Sequence, residues 1–272
     1  MNSEPIVFLP GMMCDARLFA PQIDGLSHQR AVMVAPTHLG ERVEEIASSI
    51  LDMAPHKFAL CGLSMGGIVA LEVVRRAPNR VKRLCLMDTN PTCETPERAA
   101  KREPQIIAAR TGRLEHIMRE EIALNYLTET QHKEHIFELL IDMAVSLGSE
   151  AFVRQSRALQ KRRDQQSFLS RIKCPTLILC GEKDQICLPK QHEFMAELIE
   201  GATLAVIKNA GHLPTLEQPD TTNEALRAWL ESYGFLAQKG LTYFCLYFCL
   251  PPYWSLVAFS LLKRFAKIFV FS

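Results

Sequence analysis

The sequence lacks an excess of charge of either sign. It contains 31 Lys and Arg residues against 30 Asp and Glu residues, which leaves a formal net charge of +1. No stripe of basic residues is interleaved with aromatic residues, so we expect no nucleic-acid groove and no nucleic-acid partner. The local cluster Lys161-Arg162-Arg163 is typical of a solvated helix face, and we interpret it as one. The charge balance gives no general attraction for nucleic acid or anionic lipid.

The sequence also lacks a secretory signal and a metal-binding pattern. Pro10-Gly11 end the first apolar run, and no basic region precedes that run. The nine cysteines form no Cys/His spacing typical of a zinc site. Several of them fall inside predicted strands, which is typical of small buried side chains in a reducing compartment. We therefore expect a cytoplasmic protein with no metal.

Short apolar runs alternate with helical patterns along most of the chain. The predicted strands lie at 6–9, 31–34, 58–61, 83–87, 176–180 and 204–207. Most are continuous apolar runs, as expected for parallel strands covered on both faces. The pattern also predicts a helix after residue 64 that ends before Pro78, and a last helix near 224–230. This alternation predicts an α/β fold with a doubly wound, mainly parallel sheet.

Between residues 96 and 173 the pattern changes to helices alone, predicted at 105–109, 114–124, 132–146 and 150–160. We interpret an all-helical insertion between two parallel strands as a cap over their carboxyl ends, where ligands bind in open α/β folds. A helical domain with no role at the site is the alternative. The expected organisation is therefore a core of residues 1–95 and 174–234, with a helical cap (lid) of residues 96–173.

The segment 235–272 is expected to lie outside this core as an apolar C-terminal tail. Residues 241–262 form an uncharged segment that is long enough to span a bilayer. Pro251-Pro252 in its middle would interrupt a spanning helix. Three interpretations stay open: membrane association or re-entry, docking on the domain or a partner, and an extension without a selected fold, for example from a shifted reading frame.

The most informative motif is Gly62-Leu63-Ser64-Met65-Gly66, directly behind a predicted strand. A serine flanked by glycines at the −2 and +2 positions, between a strand and a helix, matches the nucleophile elbow. The turn is so sharp that the serine takes a strained backbone angle and larger flanking residues would collide. The motif predicts that Ser64 is a nucleophile.

A nucleophilic serine needs a base, and the base needs an orienting carboxylate. His212 follows the last predicted strand of the core and can swing over the sheet edge to the serine hydroxyl. Asp184 follows the preceding strand, where it can accept the other N–H of His212. Glu182 and Asp88 are rival acids. The other histidines are interpreted as surface or structural residues, with His38 the least secure because it can face the site.

Two backbone N–H groups complete the predicted site. The first strand ends in Leu-Pro-Gly-Met-Met, where a glycine lets the backbone approach a developing oxyanion. We assign the oxyanion-hole donors to the N–H groups of Met12 and Met65. Gly11, Met13 and the cap residue Met143 are candidate pocket residues, since methionines form adaptable apolar walls. Cys187 lies close to Asp184 in sequence, but because of the serine elbow we expect Ser64 and not Cys187 to be the nucleophile.

Together these motifs resemble the α/β-hydrolase superfamily, from residue 5 to about residue 230. Four segments carry the resemblance in order and spacing: Leu9-Pro10-Gly11-Met12-Met13, Gly62-Leu63-Ser64-Met65-Gly66, Gly181-Glu182-Lys183-Asp184 and Gly211-His212. Within the superfamily the chain is similar to small, lidded bacterial members, such as carboxylesterases acting on pimeloyl-carrier-protein methyl ester and 3-oxoadipate enol-lactonases. It departs from the common His-Gly pair before the oxyanion loop, where Pro10-Gly11 stand.

The resemblance implies a serine hydrolase that cleaves a small carboxylic ester, thioester or lactone through Ser64, His212 and Asp184, with an acyl-enzyme intermediate and no cofactor. C–C bond hydrolysis, acyl transfer and cofactor-free perhydrolysis stay open, because a fold does not fix a reaction. A non-catalytic ligand receptor is the alternative from another class. Loss of a triad member or a blocked oxyanion loop would favour that receptor.

Overall fold

A parallel β-sheet forms the centre of the protein, whose computed structural model describes residues 4–129, 132–232 and 268–271. Its strands are β1 (Ile6–Leu9), β2 (Val32–Val34), β3 (Phe58–Leu63), β4 (Val81–Met87), β5 (Thr176–Gly181), β6 (Thr203–Ile207) and β7 (Ile268–Phe271). They are ordered β2-β1-β3-β4-β5-β6-β7, and every neighbouring pair is parallel. Strands β1, β3 and β5 are buried along their whole length. The predicted doubly wound parallel sheet is confirmed.

Helices join the strands and cover the sheet. They are α1 (Ala20–Ser27), α2 (Val43–Met53), α3 (Met65–Arg76), α4 (Pro96–Ala108), α5 (Leu114–Ile117), α6 (Lys133–Gln160), α7 (Gln166–Leu169), α8 (Pro189–Leu198), α9 (Pro214–Glu217) and α10 (Pro219–Glu231). Helix α3 is buried from Met65 to Val74, because it runs from the elbow along the sheet. Its end before Pro78 and the final helix α10 agree with the sequence pattern.

The described residues between β4 and β5 form helices and no strand, as the sequence pattern predicts. Two π-helical turns (109–113 and 118–122) and a 3-10 turn (123–125) interrupt the first part of this insertion. The last two predicted helices join in α6, which bends at Gly148 with a φ of +80°. The insertion is therefore helical, and its role as a cap stays a prediction at this point.

Of the tail 235–272 the structure describes only β7, which pairs in parallel with β6 from Leu204 to Ile207. This strand is not among those predicted from the sequence, although Ile-Phe-Val-Phe is rich in β-branched and aromatic residues. The uncharged segment 241–262 lies outside the described residues, so its three interpretations stay open. No helix in the described part of the chain is both long enough and apolar enough to cross a bilayer.

Candidate active site

Ser64 occupies the sharp turn between β3 and α3. Its φ of +54° and ψ of −116° are strained values for a residue with a side chain. A Cβ atom on Gly62 would lie 2.3 Å from the carbonyl oxygen of Gly66, and one on Gly66 would lie 1.9 Å from that of Leu9. The flanking glycines are therefore required because the backbones of β1, β3 and α3 touch at this turn.

The structure brings Ser64, His212 and Asp184 together. The Ser64 hydroxyl lies 2.9 Å from His212 Nε2, and His212 Nδ1 lies 2.9 Å from Asp184 Oδ2. Burial raises the pKa of Asp184, but the hydrogen bond and charge of His212 and two backbone N–H groups outweigh it, so the net pKa is lowered. An ionised Asp184 holds the proton of His212 on Nδ1 and leaves the Nε2 lone pair facing the serine hydroxyl.

The rival acids lie nearby but bond elsewhere. Asp88 is fully buried at the end of β4, and its Oδ1 accepts a hydrogen bond of 2.8 Å from the N–H of Gly181. Burial, and then the charge of Asp184, raises the pKa of Asp88 well above its usual range, which favours the neutral form of this carboxyl. Glu182 is exposed and accepts from the N–H of Asn209. Neither carboxyl bonds to His212.

A buried carboxylate that sequence reasoning missed holds the loop of His212. Glu217 accepts hydrogen bonds from the backbone N–H groups on both sides of His212, at 2.9 and 3.1 Å, and from the N–H of Thr128 at 2.8 Å. The N–H of His212 donates to the carbonyl oxygen of Tyr126 at 2.8 Å. The histidine loop is therefore fixed partly by the helical insertion. A single Glu after a His-Leu-Pro run gives no local sequence signal that it binds this loop.

The two predicted oxyanion-hole donors lie beside Ser64. In the described chain the N–H groups of Met12 and Met65 have no hydrogen-bonding partner, whereas the N–H of Met13 donates to Gln155 Oε1 at 2.9 Å. A Cβ atom on Gly11 would lie 3.4 Å from the Cβ of Ser64, so this loop packs directly against the elbow. Two unpaired donors next to a nucleophile can stabilise a developing oxyanion.

Ser64 opens into a cavity of about 370 Å³ between the sheet and the helical insertion. Met12, Met65, Ile186 and the insertion residues Tyr126 and Leu159 form part of its lining. The ring of Tyr126 lies 5.1 Å from that of His212, a contact that no sequence signal indicated.

None of the three predicted pocket residues, Gly11, Met13 and Met143, belongs to this lining. Met13 and Met143 are fully buried, and Met143 Sδ accepts from the N–H of Asp15. Gly11 packs against Ser64 without lining the cavity. Their role as pocket residues stays a prediction.

His192 and His38 lie outside the cluster of Ser64, His212 and Asp184. His192 is fully buried. Its Nε2 accepts a hydrogen bond of 3.0 Å from the N–H of Thr89, and its Nδ1 lies 3.2 Å from the carbonyl oxygen of Leu188. Burial lowers the pKa of His192 to about 4, so it is neutral near pH 7. His38 does not line the cavity, and its carbonyl oxygen accepts from Arg154.

Asp184, Cys187 and His212 offer the one cluster of possible metal ligands in the described residues, with ligand atoms within 4.8 Å of one another. Burial raises the pKa of the Cys187 thiol to about 12, so it stays protonated and is a poor ligand and a poor nucleophile. An ion there would also have to replace the hydrogen bond between Asp184 and His212. This cluster fits an orienting role for Asp184 better than a metal site.

The interpretation of Lys161-Arg162-Arg163 as a solvated helix face is wrong for its central residue. The side chain of Arg162 is only 6% exposed and lines the cavity, whereas Arg163 is half exposed and pairs with Glu44. The three residues follow the end of α6, where the chain turns and directs the middle side chain inward.

A parallel sheet that carries a serine at a strand-to-helix elbow, opposite a histidine on a late loop, defines an α/β hydrolase. The comparison with protein families agrees: the model of the Alpha/beta hydrolase family matches residues 6–225. The chain belongs to this family.

Similar proteins are esterases and hydrolases. The chain is 28% identical over 192 residues to a pimeloyl-[acyl-carrier protein] methyl ester esterase of Aromatoleum aromaticum, covering 66% of this chain and 77% of that one. It is 24% identical to 3-oxoadipate enol-lactonase 2 of Acinetobacter baylyi, over 71% of this chain and 72% of that one. A malate-bound thermophilic esterase from Thermogutta terrifontis superposes with a TM-score of 0.76 at 28% identity, covering 84% and 90% of the two chains. The protein is therefore an α/β-fold hydrolase.

Proposed function

We propose that this protein hydrolyses a small carboxylic ester, thioester or lactone through an acyl-enzyme on Ser64. One observation carries the proposal: two hydrogen bonds of 2.9 Å join the Ser64 hydroxyl to His212 and His212 to Asp184. This arrangement activates a serine by giving its proton an acceptor whose orientation is fixed. The esterases and lactonase among the relatives support the same class of substrate.

Acylation begins when Ser64 Oγ attacks the carbonyl carbon and its proton passes to His212 Nε2. Asp184 stabilises the imidazolium that forms, because its carboxylate accepts a hydrogen bond from the Nδ1–H of His212. The N–H groups of Met12 and Met65 donate to the oxyanion. His212 then gives its proton to the leaving alcohol, thiol or lactone oxygen.

Deacylation repeats these roles with water as the nucleophile. His212 takes a proton from water, the resulting tetrahedral intermediate collapses, and Ser64 regains its proton as the acid leaves. The helical insertion 96–173 acts as the cap of this site in the proposal, because Tyr126, Leu159 and Arg162 form part of the cavity over Ser64. Acyl transfer, C–C bond hydrolysis and perhydrolysis would use the same three residues, Ser64, His212 and Asp184.

A fluorophosphonate probe tests the proposal directly. We expect the wild-type protein to be labelled and Ser64→Ala to be unlabelled, with Ser49→Ala, on the outer part of α2, as a matched control that keeps labelling. A panel of esters, thioesters and lactones then identifies the bond that is cleaved. A folded wild-type protein that is neither labelled nor active on the panel would contradict the proposal and favour a ligand receptor.

A further inference from the structure

Arg162 lies in the cavity of Ser64 and is short of hydrogen-bonding partners. Its side chain is 6% exposed, and its Nε atom is buried without a partner. The nearest acceptor is Asn90 Oδ1, at 3.5 Å from one terminal nitrogen, and that oxygen already accepts from the Thr92 hydroxyl at 2.7 Å. A guanidinium has five N–H donors, so most of the donors of Arg162 are free for a ligand.

The nearest carboxylate compensates the charge of Arg162 only in part. Glu94 lies 3.8 Å away, beyond hydrogen-bonding distance, and its side chain is 1% exposed. Its other oxygen accepts a hydrogen bond of 2.9 Å from Arg102 Nε and lies 2.8 Å from Arg102 Nη2. One carboxylate is therefore shared by two guanidinium groups, and the charge of Arg162 is only partly compensated.

The cavity as a whole has an excess of positive charge. Four cationic side chains line it, against two acidic ones: Arg98, Lys101, Arg102 and Arg162, and Glu94 and Glu121. Arg162 is the most deeply buried of the four cations, and burial lowers its pKa without removing its charge at neutral pH. A buried, charged group with free donors is costly in the empty cavity and is satisfied when an anion binds.

We propose that Arg162 binds a carboxylate carried by the substrate, so that the substrate of Ser64 is an acidic ester. The inference rests on the proposed function and names the substrate class of that site. A planar carboxylate matches the guanidinium fork with two parallel hydrogen bonds. A singly charged carboxylate also fits better than a phosphate dianion, because Glu94 lies close to the same guanidinium and repels the second charge.

Matched substrates test this specificity. One series compares monomethyl esters of C4–C8 dicarboxylic acids with methyl esters of the corresponding monocarboxylic acids. A second series places the carboxylate on the alcohol side and compares acetyl esters of hydroxy acids with acetyl esters of plain alcohols. We expect the wild-type protein to favour the acidic ester of at least one series by about tenfold or more in kcat/KM. Equal rates for acidic and neutral esters in both series would overturn the proposal.

Variants of Arg162 assign the preference to this side chain. We expect Arg162→Gln to lower the ratio of acidic to neutral kcat/KM by about 10- to 100-fold, mainly through KM, because the contact holds the substrate rather than the oxyanion. Arg162→Lys should retain part of the ratio. Arg163→Gln, which changes the exposed neighbour outside the cavity, should retain all of it. A parallel loss on both kinds of ester would show a structural role and overturn the proposal.

Binding to the Ser64→Ala protein separates this inference from the proposed function. The free dicarboxylate is a product analogue, and calorimetry with it needs no turnover. We expect the dicarboxylate to bind Ser64→Ala and to bind the Ser64→Ala/Arg162→Gln protein at least tenfold more weakly, with the neutral diol of equal length as the control. Carboxylate binding that is unchanged by Arg162→Gln would overturn the inference even if hydrolysis is found. Arg162-dependent binding without hydrolysis would support the inference and contradict the proposed function.

Discussion

Asp88 and Asp184 lie at the carboxyl ends of the neighbouring strands β4 and β5, yet only Asp184 bonds to His212. Asp88 instead accepts the N–H of Gly181 at 2.8 Å, while its second oxygen has no partner. Burial and the charge of Asp184 raise the pKa of Asp88, whereas His212 and two N–H groups lower that of Asp184. The two opposite shifts favour the neutral form of Asp88 and the ionised form of Asp184, which is the residue that faces the histidine.

The first prediction separates these two acids. Asp184→Asn should lower kcat by about 10⁴-fold, because an amide cannot hold the Nδ1 proton of His212. Asp88→Asn should lower kcat by about tenfold at most, since an amide resembles the neutral carboxyl in shape and can still donate toward Asp184. Steady-state kinetics on one ester measures both. A loss from Asp88→Asn as large as that from Asp184→Asn would reassign the acid.

The second prediction concerns the carboxylate that holds the histidine loop. Glu217→Gln replaces one accepting oxygen by an NH₂ group, which must face a backbone N–H on at least one side. We expect kcat to fall by about 10- to 100-fold and the melting temperature to fall by several degrees. Glu224→Gln, on the exposed face of α10, is the matched control. Activity that stays at the wild-type level would show that the loop does not depend on Glu217.

The elbow could be predicted from the sequence because its constraint is local. Gly62 is required by the approach of Gly66 and Gly66 by the approach of Leu9 on β1, but both glycines lie two residues from Ser64, so the requirement leaves a fixed local spacing. Asp184 and His212 were also predictable, since parallel strands bring their carboxyl ends to one edge of the sheet. The strands and the helical insertion could also be predicted, because apolar periodicity is a local feature of the sequence.

Other parts of the site depend on tertiary contacts that leave no local pattern. Glu217 acts through Thr128 in a distant segment, and Tyr126 reaches His212 only because the insertion folds over the sheet. Arg162 sits in a basic triplet that is typical of a solvated face, and only the turn after α6 buries it. The strand β7 was not predicted, because a run of four apolar residues after Lys267 does not by its periodicity distinguish a strand from a buried helical segment.

The third prediction is a pH dependence of stability that comes from His192. Its pKa in the folded protein, about 4, lies below the ordinary value of 6.5, so the unfolded chain binds more protons between these values. The free energy of unfolding therefore falls as pH drops from about 6.5 toward 4, by up to about 3 kcal/mol from this residue.

His192→Gln isolates that contribution. Glutamine offers an acceptor for the N–H of Thr89 and a donor for the carbonyl oxygen of Leu188, but it does not titrate. Urea denaturation at pH 7 and pH 4.5 should show a smaller loss of stability in the variant than in the wild-type protein. Parallel losses in the two proteins would mean that His192 is not buried in its neutral form.

The last prediction concerns the strain at Ser64 itself. Its φ of +54° costs about 1–3 kcal/mol in a residue with a Cβ atom, and glycine avoids that cost. Ser64→Ala and Ser64→Gly remove the same hydroxyl, so they lose the same hydrogen bond to His212 and differ only in the Cβ atom. After the greater flexibility of glycine in the unfolded chain is deducted, we expect Ser64→Gly to be more stable than Ser64→Ala by about 1 kcal/mol. Urea denaturation of the two inactive proteins measures this difference. If Ser64→Ala is the more stable, the turn does not store strain, and the backbone carries no cost for presenting the nucleophile.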